Sequence, residues 1–115
     1  MYQHFREIYN ILKNNGAFVI LAGSMEMYKH NWLSLYTNYP ENLNPKSGEK
    51  VKIKLMNANL VLEDYFWTDN DYRTTAKKAK FKLLKYYNPL GTKNDKYNWK
   101  DETKFSPYSI YIFRK

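Results

Sequence analysis

The apolar residues of this sequence come only in short runs. The longest uninterrupted run is Ala17 to Ala22, whereas a helix needs about 20 apolar residues to span a bilayer. A short run with β-branched residues at its centre is typical of a strand buried on both faces. The chain is therefore expected to build a small soluble domain from short elements and to have no membrane partner.

Strict alternation marks a second kind of strand. Lysine alternates with Val, Ile or Leu over residues 50–55, which predicts a strand with one buried and one solvated face. Residues 57–59 suit a turn, and residues 60–67 predict a partner strand, so the two should form an antiparallel hairpin. Residues 108–113 alternate in the same way and predict a closing strand.

Helical spacing of apolar residues occurs in three segments. Residues 3–14 predict an amphipathic helix whose apolar face carries Phe5, Ile8, Tyr9 and Leu12. Residues 25–39 favour a second helix, with a hairpin turning at residues 29–31 as the alternative. Residues 71–87 predict a third helix, capped by Asp69 or Asn70.

These elements together predict an α+β fold for residues 1–115 as a single small domain. The expected architecture is an antiparallel or mixed sheet of about 4–5 strands with two or three helices. The aromatic and methionine residues of segment 1–45 would either build the core or present a protein interface.

Charge is distributed unevenly along the chain. The net charge is +8; residues 1–71 are near neutral, whereas residues 72–115 contain 12 Lys and Arg against three Asp and Glu. A local positive field attracts polyanions, of which nucleic acid is the commonest. The alternative is a lysine-rich surface that serves solubility, and the excess of Lys, Asn and Tyr also indicates an AT-rich genome.

Two groups of basic and aromatic residues are candidate binding sites. On the predicted helix 71–87, Phe81 lies among lysines and would either stack on a base or pack under a neighbouring element. In segment 92–104, lysines interleave with two aromatic residues that would either stack on bases or pack onto the core. The candidates are Lys77, Lys78, Lys80, Phe81, Lys82, Lys85, Lys93, Lys96, Tyr97, Trp99 and Lys100.

Catalytic and metal-binding patterns are missing from the sequence. It has no cysteine, and its two histidines have no ligand spacing. The acidic residues 63, 64, 69 and 71 would suit Mg²⁺, but helix capping explains the last two. Residues 102–104 have the acid-x-lysine spacing of a nuclease site but fall in an expected loop. The sequence therefore predicts no enzyme, no cofactor and no metal.

The function predicted on these grounds is non-catalytic binding of single-stranded DNA or RNA. Sequence specificity should be weak, since only three arginines are available for base readout. Such a protein would be a cytoplasmic accessory factor in phage, plasmid or mobile-element DNA metabolism. The alternative is a protein-binding module, either an inhibitor or an activating subunit of a larger nucleic-acid enzyme, whose basic face meets an acidic partner or shared nucleic acid.

Overall fold

A computed structural model describes all 115 residues and shows two helices and six strands. The helices are α1 (Tyr2–Ile11) and α2 (Asp69–Lys78). Neither is long and apolar enough to cross a membrane. The strands are β1 (Ala17–Gly23), β2 (Leu35–Tyr36), β3 (Lys50–Leu55), β4 (Leu60–Tyr65), β5 (Lys82–Tyr87) and β6 (Tyr108–Arg114).

The strands divide into two antiparallel sheets of three. The first sheet has the order β1-β6-β5 and the second has the order β2-β3-β4. The α+β class is thus confirmed. The expectation of one sheet with four or five strands differs from this result, because β3 and β4 pair with β2 and not with the other long strands.

Both helices contribute to a core on one face of the first sheet. The predicted apolar face of α1 is confirmed, since Phe5 is buried and Ile8, Tyr9 and Leu12 pack beside it. The buried residues of this core are Phe5, Ala22, Ala76, Ala79, Phe81, Tyr111 and Phe113. The closing strand is also confirmed, and β6 is the central strand of its sheet.

The predicted helix at residues 25–39 is wrong. This segment consists of turns followed by the two-residue strand β2. The backbone carbonyl of Met27 accepts hydrogen bonds from Trp32 Nε1 at 2.8 Å and Thr37 Oγ1 at 2.9 Å. Side-chain donors thus take the place of the backbone amide that would bond this carbonyl in a helix. The hairpin alternative with its turn at residues 29–31 is wrong as well, because the segment contains only the strand β2 and no second strand to pair with it.

The predicted helix at residues 71–87 is wrong beyond Lys78. Helix α2 begins at Asp69, so its N-cap is Thr68 and not Asp69 or Asn70 as expected. Thr68 forms a reciprocal capping box with Asp71. The helix is terminated by Lys80, whose φ of 70° is left-handed, and the chain continues directly into β5. The turn places Phe81 in the core, which a continuous helix would have left among lysines.

The expectation that Ala17 to Ala22 is buried on both faces is also wrong. Strand β1 is an edge strand that pairs only with β6. Phe18, Ile20 and Ala22 pack with the core. Val19 and Leu21 alternate with them and are 59% and 64% exposed. By contrast, the hairpin of β3 and β4 is confirmed, with Ile53 opposite Leu62.

Candidate functional site: the cleft between the sheets

Phe81 is not a stacking platform. Its side chain is 6% exposed and packs in the core of the first sheet. The rings of Tyr9 and Phe18 lie with their centroids 5.2 Å and 5.4 Å from that of Phe81. The packing interpretation that the sequence left open is therefore correct.

The candidate lysines belong to a helix end, a strand and a loop. Lys77 and Lys78 lie in the last turn of α2, and Lys80 occupies the turn that follows. The ammonium of Lys78 lies over the ring of Tyr2, 4.3 Å from its centroid. Lys82 and Lys85 are exposed on β5, whereas Lys93, Lys96 and Lys100 are exposed in the loop between β5 and β6.

The two aromatic candidates in that loop differ in their surroundings. Trp99 is half-buried, and its Nε1 donates to Asp95 Oδ2 at 2.8 Å while its indole lies against Gly91. Tyr97 is 52% exposed, with its ring centroid 5.1 Å from that of Trp99. Trp99 therefore stabilises the loop, which leaves Tyr97 alone as an exposed ring.

Two of the acidic residues considered for metal or nuclease chemistry, Asp69 and Glu102, have structural roles. Asp69 accepts from Arg73 Nε at 2.8 Å and from the hydroxyl of Tyr111 at 2.7 Å. Glu102 is 4% exposed, and it accepts from the backbone amides of Leu33 at 2.7 Å and Lys100 at 2.9 Å. These residues hold loops and a helix in place and do not converge on a common ligand position.

A broad cleft with a volume of about 710 Å³ lies between the two sheets. One wall comes from α1 and β1, and the other comes from the end of β4, the residues after it and the first turn of α2. Small-molecule sites usually enclose roughly 300–1,000 Å³ with mostly apolar walls. The lining residues are Met1, His4, Phe5, Phe18, Val19, Ile20, Leu21, Gly48, Asp64, Tyr65, Trp67 and Tyr72.

Asp64 gives this cleft a negative character within a basic protein. It is an exposed carboxylate at the end of β4, and its Oδ1 accepts from the amide of Tyr65 at 2.8 Å. Burial, together with the negative charges of Asp64 and Asp71, raises the pKa of Tyr72 to about 12. Burial and the charge of Asp64 also raise the pKa of Tyr28.

The chemistry of the cleft suits a flat ligand that carries a positive charge or hydroxyl groups. Aromatic rings attract cations held over their faces, and a carboxylate accepts hydrogen bonds from hydroxyl or amino groups. The sequence analysis missed this site. Its local signal is the run Asp64-Tyr65-Phe66-Trp67, which places a carboxylate beside three aromatic residues, but the opposite wall is supplied by the distant segments α1 and β1.

A second cleft of about 540 Å³ is lined by Tyr28 and Asn42, among other residues. Its most buried polar residue, Asn42, is already saturated with hydrogen bonds. The Asn42 amide group donates to the carbonyls of Thr37 at 2.6 Å and Lys52 at 2.7 Å, and its oxygen accepts from the amide of Lys52 at 2.8 Å. Asn42 thus stabilises the connection between β2 and β3 and is not free to bind a ligand.

The fold has a clear counterpart among solved structures, although no protein-family model and no curated protein sequence matches this chain. The counterpart is a crystal structure from Listeria monocytogenes described as a "putative S-adenosylmethionine dependent methyltransferase". The TM-score is 0.69 at 15% sequence identity, over 100% of this chain and 55% of that one. The likeness therefore concerns the fold, and this chain spans about half the length of its counterpart.

This comparison corrects the predicted function. Non-catalytic binding of nucleic acid is wrong, because the fold is similar to that of a protein described as a methyltransferase. The basic helix 71–87 on which the prediction partly depended ends at Lys78, and Phe81 is buried. The likeness of fold does not support the prediction that the chain is no enzyme.

Proposed function

We propose that this chain is the ligand-binding part of a methyltransferase-type enzyme and that the cleft between its sheets binds S-adenosylmethionine. The observation that carries the proposal is the position of Asp64 beside the aromatic residues Tyr65, Trp67 and Tyr72 in a cleft of suitable volume. The structural likeness supports the class of ligand. The cytoplasmic location stays a prediction.

The usual nucleotide site of a doubly wound sheet does not describe this chain. That site lies at the carboxyl ends of parallel strands, where a glycine-rich turn enters a helix. Here every strand pair is antiparallel, and a series of turns follows β1. The ligand would therefore be held by side chains of the cleft and not by a backbone phosphate loop.

The cleft residues fit the parts of this ligand. The rings of Tyr65, Trp67 and Tyr72 offer faces to an adenine ring and to a sulfonium cation. The carboxylate of Asp64 can accept hydrogen bonds from the ribose hydroxyls, and its charge favours the sulfonium. Bound S-adenosylmethionine would supply an electrophilic methyl group, and the apolar walls of α1 and β1 would exclude water from it.

Isothermal titration calorimetry with S-adenosylmethionine tests the proposal directly. S-adenosylhomocysteine, which lacks the sulfonium charge, should bind more weakly, because the cleft selects a cation. Asp64→Asn should weaken S-adenosylmethionine binding by about tenfold or more, the loss expected for a charge-assisted hydrogen bond of about 1.5–3 kcal/mol. The thermal midpoint should stay near that of the wild type, since Asp64 is exposed.

Glu63→Gln is the matched control. Glu63 is the neighbouring residue on β4, is exposed, and forms only a surface ion pair with Lys50 at 3.9 Å. The variant should bind S-adenosylmethionine like the wild type. Absence of measurable binding to the wild type, or equal affinities of the Asp64→Asn and Glu63→Gln variants, would contradict the proposal.

A further inference from the structure

The outer face of the first sheet, opposite the helices, carries two rows of apolar side chains. One row crosses β1 and β6, and the other crosses all three strands. The strand register places Val19 beside Ile112 in one row. The second row consists of Leu21, Ile110 and Tyr87. None of these side chains belongs to the core of the first sheet or to the smaller buried cluster of Met27, Trp32, Leu35 and Ile53. A solvated sheet face normally alternates to polar residues, so this face has the composition of a covered one.

Positive charge borders the apolar rows. Arg114 and Lys82 form the adjacent row with Ala17, and Lys85 ends the row of Val19 and Ile112. None of these three cations has a salt-bridge partner. No residue of β1, β5 or β6 is acidic. The face therefore combines an apolar centre with a positive rim that lacks counter-charge.

We propose that this outer face binds an acidic amphipathic helix of a partner protein. A strand of seven residues such as β1 measures roughly 23 Å at about 3.3 Å per residue. A helix of about 15 residues has the same length, and one apolar stripe would cover both rows. Glutamates flanking that stripe would pair with Lys82, Lys85 and Arg114.

Charge favours this occupant over a second copy of the chain. Two copies related by a two-fold axis would bring like patches together, and each copy carries a net charge of +8. Like-charge juxtaposition opposes association, whereas complementary charge accelerates and orients it. The proposal does not rest on the ligand in the cleft, since Ile110, Tyr87 and the three cations lie outside that cleft, although Val19 and Leu21 line it as well.

The probe is a labelled helical peptide of about 15 residues, with leucines at i, i+3, i+4 and i+7 spacing and glutamates elsewhere. Fluorescence anisotropy should show that it binds about tenfold or more tightly than a peptide with lysines in place of the glutamates, and that added salt narrows this difference. Backbone NMR shifts caused by the acidic peptide should map to β1, β5 and β6.

Two sets of variants decide the outcome. Ile110→Thr combined with Tyr87→Thr should weaken peptide binding by about tenfold, whereas Leu60→Thr combined with Leu62→Thr, on the exposed strand β4, should not. Lys82→Glu combined with Lys85→Glu should reverse the preference toward the lysine peptide. Equal binding of both peptides, no binding, or a concentration-dependent dimer that Ile110→Thr abolishes would overturn the proposal.

Discussion

Replacing Phe81 tests the packing of the first sheet against its helices. Four aromatic rings surround Phe81 at centroid distances from 5.2 to 6.5 Å: Tyr9, Phe18, Phe113 and Phe5. Truncating such a ring leaves a cavity, so Phe81→Ala should lower the free energy of unfolding by about 3–5 kcal/mol. For a domain of this size that lowers the thermal midpoint by roughly 12–20 °C.

Urea denaturation followed by circular dichroism measures this loss. Leu84→Ala is the matched control, because Leu84 lies on the same strand and is 43% exposed; its cost should stay below about 1 kcal/mol. Phe81→Leu should fall between the two and remains measurable if the alanine variant does not fold. A cost below about 1 kcal/mol for Phe81→Ala would mean that the ring is exposed, as on a continuous helix 71–87.

Three further predictions concern the turn, the helix cap and the loop. Lys80 has a φ of 70°, so Lys80→Gly should raise the free energy of unfolding by roughly 0.5–1 kcal/mol in urea titrations, whereas Lys80→Ala should not. Burial raises the pKa of Asp71, but hydrogen bonds from Ser47 and Thr68 outweigh it and hold the pKa below its usual value. The stability that this lowered pKa contributes is present above the pKa of Asp71 in the unfolded chain and is lost as the pH falls through its pKa in the folded protein. Asp71→Asn should therefore flatten the dependence of the free energy of unfolding on pH in the acid range. Glu102→Ala should cost about 3 kcal/mol or more, since buried backbone amides lose their acceptor, and Glu102→Gln should cost less in the same assay.

Elements whose pattern is local could be predicted from the sequence. The apolar face of α1, the alternation of β3 and the alternation of β6 each depend on near neighbours in the chain. Strand β3 also has a partner close in the chain, since β4 follows it after a short turn. The division into two sheets could not be predicted, because it depends on which distant strand lies beside β1.

The two wrong helices have different physical causes. In segment 25–39 the apolar residues happen to lie at helical spacing, but Met27, Trp32 and Leu35 form one buried cluster with Ile53 from a turn, an irregular stretch and β2. In segment 71–87 the helical pattern is real up to Lys78. The left-handed residue Lys80 then ends it, and a lysine gives no sequence signal for that conformation, which glycine or asparagine usually adopts.

The candidate cleft could be predicted only in part, because its two walls come from segments that are distant in the sequence. Asp64 and its aromatic neighbours are adjacent in sequence, but an aromatic run is equally consistent with a core strand. What makes the run a cleft wall is the position of β1, which places Phe18 and Ile20 opposite it. Net charge could not locate the site either, since the lysines of residues 72–115 are dispersed over a helix end, a strand and a loop.

The two proposed surfaces meet at β1, so their ligands should affect each other. Val19 and Leu21 line the cleft and also belong to the outer face of the first sheet. A helix packed on that face would bury them and hold one wall of the cleft, which should strengthen S-adenosylmethionine binding. Linkage then requires that S-adenosylmethionine strengthen peptide binding by the same factor. Calorimetric titrations of each ligand with and without the other measure both factors. Because the binding cycle must close, equal factors check the titrations themselves, and a factor of one would show that β1 does not connect the two surfaces.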